Sequence, residues 1–130
     1  MTTHKQNAKF KILIAWILQF LLASSLAYGG LMKLITPVDK LAQMWPWVAQ
    51  VPIFMVWGTA ILDLLGAIGI VLPKLLRKKS ELSRWAAFGI LGLMLSAIIF
   101  HLIRGEVEVL GFNIFMMVLT LILLRLWKSE

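Results

Sequence analysis

Four apolar runs separated by short polar stretches organise the chain, at about positions 12–35, 53–72, 85–103 and 109–127. Each run holds roughly 19 to 24 residues, and a helix of about 20 crosses the hydrocarbon of a bilayer. Within hydrocarbon the backbone must satisfy its own hydrogen bonds, so each run is predicted as a transmembrane α-helix. The fold class expected is therefore all-α. The chain forms a single transmembrane domain over residues 1–130, a four-transmembrane-helix bundle.

The polar stretches add detail. In Thr36-Pro37-Val38-Asp39, a threonine precedes a proline, with an acid three residues on. That pattern starts a helix. It predicts a short helix over about 37–44, lying at the interface in the first outer loop. Trp45-Pro46-Trp47 would anchor that loop at headgroup depth. Pro73 is expected to end the second span, Lys74 to Arg84 to form a basic loop, and Arg104-Gly105-Glu106 to make a tight turn. With the spans placed, 10 of the 13 Lys and Arg fall on the side of the termini and the 74–84 loop, leaving Lys33, Lys40 and Arg104 on the other. By the positive-inside rule both termini are cytoplasmic, in a multi-pass protein of the inner membrane. Lys9, Lys11 and Ser25-Leu26-Ala27 have the form of a secretory signal. The apolar run continues through Ile35, however, so no cleavage is expected.

Composition agrees with lipid as the solvent, since 61% of the residues are hydrophobic. The formal charge of +7 suggests nucleic acid only until its distribution is considered. The basic residues sit between and at the ends of apolar runs, facing headgroups, with no aromatic-basic platform on which bases would stack. The absence of cysteine excludes disulfides, thiolate nucleophiles and Cys-ligated clusters. With only His4 and His101, no metal site is expected.

Hydrophobicity does not hold helices together inside lipid; close backbone contact and interhelical hydrogen bonds do. Contact stripes are expected at Gln19, Ala23, Leu26, Gly30 and Lys33 in the first span, and at Thr59, Asp63, Gly66 and Ile70 in the second. Gly89, Gly92 and Ser96 are expected to play that part in the third span, and Asn113, Met117, Thr120 and Leu124 in the fourth. Tyr28 lies nearly opposite Lys33 around its helix, and Met94, Met116 and Met117 read as bundle filling.

Asp63 is the most conspicuous candidate for chemistry. About ten residues from the end of its span, it sits roughly 15 Å deep, where an acid costs about 2.5–3.5 kcal/mol on insertion scales. It reads as a proton relay or a ligand anchor, or else as a hydrogen-bonding link to a neighbouring helix. Lys33 is near the outer end of the first span, either snorkelling to the interface or, with Gly30 on the same face, pointing inward. His101 is near the outer end of the third span, with Arg104 about one turn on, able to exchange protons near neutral pH or to bond a loop. Counted along the helices, Lys33 and His101 share a depth and Asp63 is about 10–15 Å deeper. A direct Lys33–Asp63 ion pair therefore looks strained. The expectation is an outer-leaflet pocket with Lys33, His101 and Arg104 at its mouth and Asp63 at its floor. Gly30, Thr59, Gly66 and Asn113 would line it, and Trp45, Trp47 and Trp57 would act as walls or interface anchors.

Three stretches together resemble a known family. Gly30-Leu31-Met32-Lys33-Leu34 closes the first helix, and Asp63-Leu64-Leu65-Gly66-Ala67-Ile68-Gly69 through Pro73 fills the second. Ala97-Ile98-Ile99-Phe100-His101-Leu102-Ile103-Arg104-Gly105-Glu106 closes the third. In order, spacing and topology they are similar to the DoxX-like family of small four-helix membrane proteins, from about Phe10 to Leu126. The resemblance implies a four-helix bundle. It also implies kinship with subunits linked to thiosulfate:quinone oxidoreduction and, more distantly, with a eukaryotic branch acting in receptor assembly. It marks Lys33, Asp63 and His101 as the positions to carry over. The acidic position is more often glutamate in the family, and here it is the shorter aspartate.

Two functions follow as expectations. One is an oxidoreductase-associated subunit binding a quinone or other lipid-soluble small molecule, with electrons from a membrane redox partner. The other is a non-enzymatic scaffold or assembly factor for a partner protein. A small multidrug exporter would want a membrane-embedded carboxylate in the first span, where Gln19 stands instead. The partners expected are the lipid bilayer, a membrane or redox protein, and a second copy of the chain. No residue is assigned a catalytic step.

Overall fold

The computed structural model describes residues 2–77 and 81–128. Among them are five α-helices and no strand: α1 (Thr2–Ile35), α2 (Val38–Met44), α3 (Ile53–Leu75), α4 (Glu81–Ile103) and α5 (Leu110–Lys128). Single 3₁₀ turns at Pro46–Ala49 and Val107–Val109 lead into α3 and α5. α1, α3, α4 and α5 are each long and apolar enough to cross a membrane. Their outward surfaces are apolar as well: Phe54, Trp85 and Ile103 are 69%, 71% and 80% exposed. Water would not tolerate such a surface on a folded monomer, whereas lipid does.

The four long helices run up and down in a ring in which α1 packs on α3, α3 on α4 and α4 on α5, with the thinner α1–α5 seam closing it. Ala15, Leu22, Ile70, Ala87, Ile90, Met116 and Leu123 fill the centre. α2 and the turn after it cover one end, where Leu41 and Val48 pack on Val56 of α3 as a second small core. The opposite end holds the start of α1 and the end of α5.

Several boundaries differ from the sequence expectation. α1 and α4 begin earlier than the apolar runs, because hydropathy marks the part of a helix inside hydrocarbon and not the helix. α4 accordingly takes up residues from Glu81 onward of the expected 74–84 loop, while Lys78, Lys79 and Ser80 lie outside the described residues. Pro73 does not end α3, which continues to Leu75. Placed in the last turns, proline removes one bond, the one its own N–H would have given Gly69. The ladder resumes with Leu76 N–H donating to the Leu72 carbonyl at 3.0 Å.

The buried stripes match the expectation in α1 and largely in α3. In α5 Asn113 and Thr120 are buried as expected, but the centre of the stripe moves to Met116, Leu119, Leu123 and Trp127. In α4 the stripe is on another face. Ser83, Ala87, Ile90, Met94 and His101 are buried, whereas Gly89, Gly92 and Ser96 are exposed. The large side chains of Ile90 and Met94 fill the ring, leaving the small residues as a shallow groove toward lipid. Interhelical hydrogen bonds are also fewer than the polar stripes suggest. Ser25, Ser96 and Thr120 each donate to the carbonyl four residues earlier in their own helix. One true link deep in the ring is Gln19 Nε2, which donates to the Ile70 carbonyl at 2.9 Å.

Candidate functional site

The site is built where α1 and α3 come closest. Gly30 lets them approach: a Cβ there would lie 2.9 Å from the Ala60 carbonyl oxygen and 2.9 Å from Leu64 Cγ. This contact sets the register. Gly30 is about 7 Å from the end of α1, while Ala60 and Leu64 lie about 10 and 16 Å into α3, at 1.5 Å per residue. α3 thus extends roughly 6 Å beyond α1 at the α2 end.

Lys33 and Asp63 form a direct ion pair, Nζ to Oδ2 at 2.9 Å, with side chains 13% and 9% exposed. This corrects the expectation that such a pair is strained, and two physical reasons account for it. The stagger of α3 brings Asp63 closer to the level of Lys33 than counting from helix ends allows. Side chains also lean toward the N-terminus of their own helix. In α1 that lean carries Lys33 inward, and in the antiparallel α3 it carries Asp63 outward, so the two meet. Lys33 Nζ also donates to Thr59 Oγ1 at 3.3 Å, and the Thr59 hydroxyl in turn donates to the Val56 carbonyl at 2.9 Å.

Trp47 stands over this pair, its ring 5.6 Å from Lys33 Nζ and 6.3 Å from the His101 ring, edge to face. It therefore connects the two candidate centres. Trp45 packs with the small core beneath α2, and Trp57 is 48% exposed on the outer surface of α3, so Trp47 alone of the three stands at the pair.

His101 is positioned by the end of its helix. Gly105 adopts φ +74, and the Gly105 and Glu106 N–H groups donate to the Leu102 and His101 carbonyls. This is a Schellman cap, which needs a left-handed residue best supplied by glycine. It folds Glu106 back over the last turn, where Oε1 accepts from Arg104 Nε at 2.8 Å and lies 3.0 Å from His101 Nδ1. Facing a carboxylate, Nδ1 carries the proton and donates. Glu106 is the residue that sequence reasoning missed as part of the site. The glycine between Arg104 and Glu106 was its one signal.

The remaining candidates have other neighbours. Gly66, one turn along α3 from Asp63, faces Ile90 and Leu26. The Asn113 amide donates to the Val109 carbonyl, in the 3₁₀ turn that leads into its helix, 3.5 Å away. Arg104 lies with its guanidinium 5.2 Å from the Phe100 ring. Tyr28 is 58% exposed toward lipid, and Met94 and Met116 fill the core.

The hydrogen bond from Arg104, and then that from His101, hold the Glu106 carboxyl below the usual carboxylate range. A carboxyl whose value falls on folding adds stability that is full above its ordinary value and is lost as pH falls through the lowered one. We expect the melting temperature in detergent to drop on acidification through that window, and Glu106→Gln to remove this part of the drop. An unchanged pH profile in Glu106→Gln would show that the cluster does not act this way.

A family model described as DoxX-like family matches residues 17–123. No curated protein and no solved structure matches the chain.

Proposed function

Since the chain belongs to the DoxX-like family, we propose that it binds a quinone or similar carbonyl-bearing, lipid-soluble molecule beside the Lys33–Asp63 pair. We place it in the inner membrane with both termini cytoplasmic and α2 lying along the outer interface. The observation that carries the reading is the ion pair itself. A lysine and an aspartate buried between helices contribute little net stability, because well-packed apolar residues would hold α1 to α3 at least as well. Intramembrane ionisable residues that persist despite this cost mark ligand or proton paths.

The chemistry fits the donors present. Reduction of a quinone to a quinol takes two electrons and two protons, one proton to each carbonyl oxygen. The electrons come from a membrane redox partner. Lys33 donates a hydrogen bond to a carbonyl oxygen as charge develops there. Trp47 offers a flat apolar face; His101, backed by Glu106, supplies one of the two protons from the same side, and water at the membrane interface supplies the other.

A short-chain quinone titrated into the purified protein is expected to quench tryptophan fluorescence saturably. The variant Lys33→Met/Asp63→Leu, which keeps apolar bulk at both positions, is expected to weaken that binding by about tenfold or more. Equal affinity in the folded double variant would sink the proposal.

A second reading, a scaffold or assembly factor, is favoured by one observation: Lys33 donates to both Asp63 and Thr59, which links α1 to α3 through side chains alone. On that reading the double variant retains its co-purifying partner protein.

A further inference from the structure

Two nearly buried side chains in the α2-covered half of the bundle hold acceptor atoms that nothing engages. Asp63 accepts from Lys33 Nζ through Oδ2, and its other oxygen, Oδ1, accepts no hydrogen bond among the described residues. His101 gives its Nδ1–H to Glu106, which leaves Nε2 of the neutral ring as an acceptor. No group among the described residues donates to that nitrogen. The two side chains are only 9% and 8% exposed. The fully enclosed side-chain atoms without a partner, Ser83 Oγ and Trp127 Nε1, belong to the opposite end of the bundle. Asp63 Oδ1 and His101 Nε2 are not among them, so each keeps a narrow path by which a ligand atom can reach it. Gly29 widens the approach to the carboxylate. A Cβ there would stand 3.8 Å from Asp63 Oδ2, and glycine leaves that side bare.

The donors around them are largely committed. Lys33 Nζ gives N–H bonds to Asp63 and to Thr59. The Thr59 hydroxyl gives its proton to the Val56 carbonyl, and Arg104 Nε donates to Glu106. Trp47 spans the interval between the two acceptors, its ring 5.6 Å from Lys33 Nζ and 6.3 Å from the His101 ring. An acceptor left without a donor where water hardly enters costs about 1–3 kcal/mol. A ligand that brings donors removes that cost, and a ligand that brings only acceptors does not.

We propose that this site holds the hydroxyl-bearing quinol more tightly than the quinone. The inference rests on the reading of the pair as a quinone site and adds the redox state which that site prefers. A quinone carries two carbonyl oxygens and no donor. It can accept from Lys33, but it sets acceptor against acceptor at Asp63 Oδ1 and His101 Nε2. A quinol carries an O–H in place of each carbonyl. One hydroxyl is free to donate to Asp63 Oδ1 and the other to His101 Nε2, while the first oxygen still accepts from Lys33. Once His101 has given up its proton, the neutral ring accepts from the hydroxyl which that proton has made. Sites built to bond a hydroxyl discriminate strongly against the analogue that lacks it. Tighter binding of the reduced form raises the reduction potential of the bound couple, by about 30 mV for each tenfold in affinity when two electrons are transferred.

The test uses the full chain purified in an uncharged detergent and kept free of oxygen. Duroquinone and duroquinol are the probes, and the bound fraction of each is measured by equilibrium dialysis. Duroquinol is expected to bind about tenfold more tightly than duroquinone. His101→Phe keeps an aromatic ring against Trp47 and Phe100 but has no ring nitrogen. It is expected to lose much of that preference through weaker duroquinol binding, with duroquinone affinity unchanged. Asp63→Asn, which exchanges the charged acceptor for an amide of the same shape, is expected to weaken duroquinol binding as well. Tyr28→Phe, on the lipid-facing side of α1, should leave both affinities as they are. Equal affinity for the two probes, tighter binding of duroquinone, a preference undiminished in the folded His101→Phe protein, or a preference lost equally in Tyr28→Phe would each overturn this inference and leave the quinone site standing. Saturable binding of neither probe would overturn both.

Discussion

Lys33→Met is expected to destabilise the bundle by about 3 kcal/mol, because it leaves the Asp63 carboxyl between helices without its partner. The partner lies 2.9 Å away, and both side chains are largely sequestered, so neither bulk solvent nor a nearby headgroup compensates for the loss. Replacing both residues, as Lys33→Met/Asp63→Leu, is expected to recover most of that cost, since apolar side chains of similar length pack against Gly29 and Thr59 and leave no buried charge. The measurement is the unfolding free energy in mixed micelles titrated with a denaturing detergent. If the double variant is as unstable as the single one, the loss comes from packing and not from the unpaired acid. The same recovery matters for function, because it separates binding from folding: a stable double variant that no longer binds quinone assigns the pair a role that stability does not require.

Gly30→Ala carries the second large effect. The added Cβ would meet the Ala60 carbonyl oxygen at 2.9 Å, and that atom belongs to the backbone of α3. The Leu64 side chain, met at the same distance, can rotate away, but the carbonyl cannot. α1 and α3 must therefore separate, at a cost of about 1–3 kcal/mol. The separation acts one turn on, where it stretches the Lys33–Asp63 contact. Gly89→Ala and Gly92→Ala serve as controls. Nothing lies within 4 Å of a Cβ at either position, so both are expected to be neutral or slightly stabilising through helix propensity. Thermal midpoints of the three variants in one detergent decide the matter. A Gly30→Ala protein as stable as the Gly89→Ala protein would mean that the close approach is not needed.

The controls also show where sequence reading succeeded and where it stopped. Gly30 and Gly89 both sit in small-residue stripes, yet one is pressed against a neighbour and the other faces lipid. Composition cannot separate them, because in a membrane the inside and the outside of a bundle are equally apolar. In α1 the polar residues Gln19 and Lys33 marked the inner face, and the reading was right. In α4 the stripe of Gly89, Gly92 and Ser96 pointed one way and His101 another, and the side chain with hydrogen bonds to make was the better guide. The four spans were legible from length alone. The ion pair was not, because counting residues from helix ends omits both the stagger between α1 and α3 and the lean of side chains along each helix. The site residues Lys33, Thr59 and Asp63 were nonetheless named together from their positions. Glu106 escaped because its place depends on a cap of two hydrogen bonds around Gly105.

The ring order has a consequence for how the protein is made. Neighbours in sequence are neighbours in space around three of the four seams, so each helix that enters the bilayer finds its partner already there. α3 can dock on α1, with Lys33 meeting Asp63, before α4 has been synthesised. The early hairpin thus shields its own charges while the chain is still short. The remaining seam, between α1 and α5, joins the first helix to the last and cannot form until translation has reached the end of α5. Assembly is therefore local and sequential for most of its course, and it finishes in one late long-range step, when α5 closes on α1.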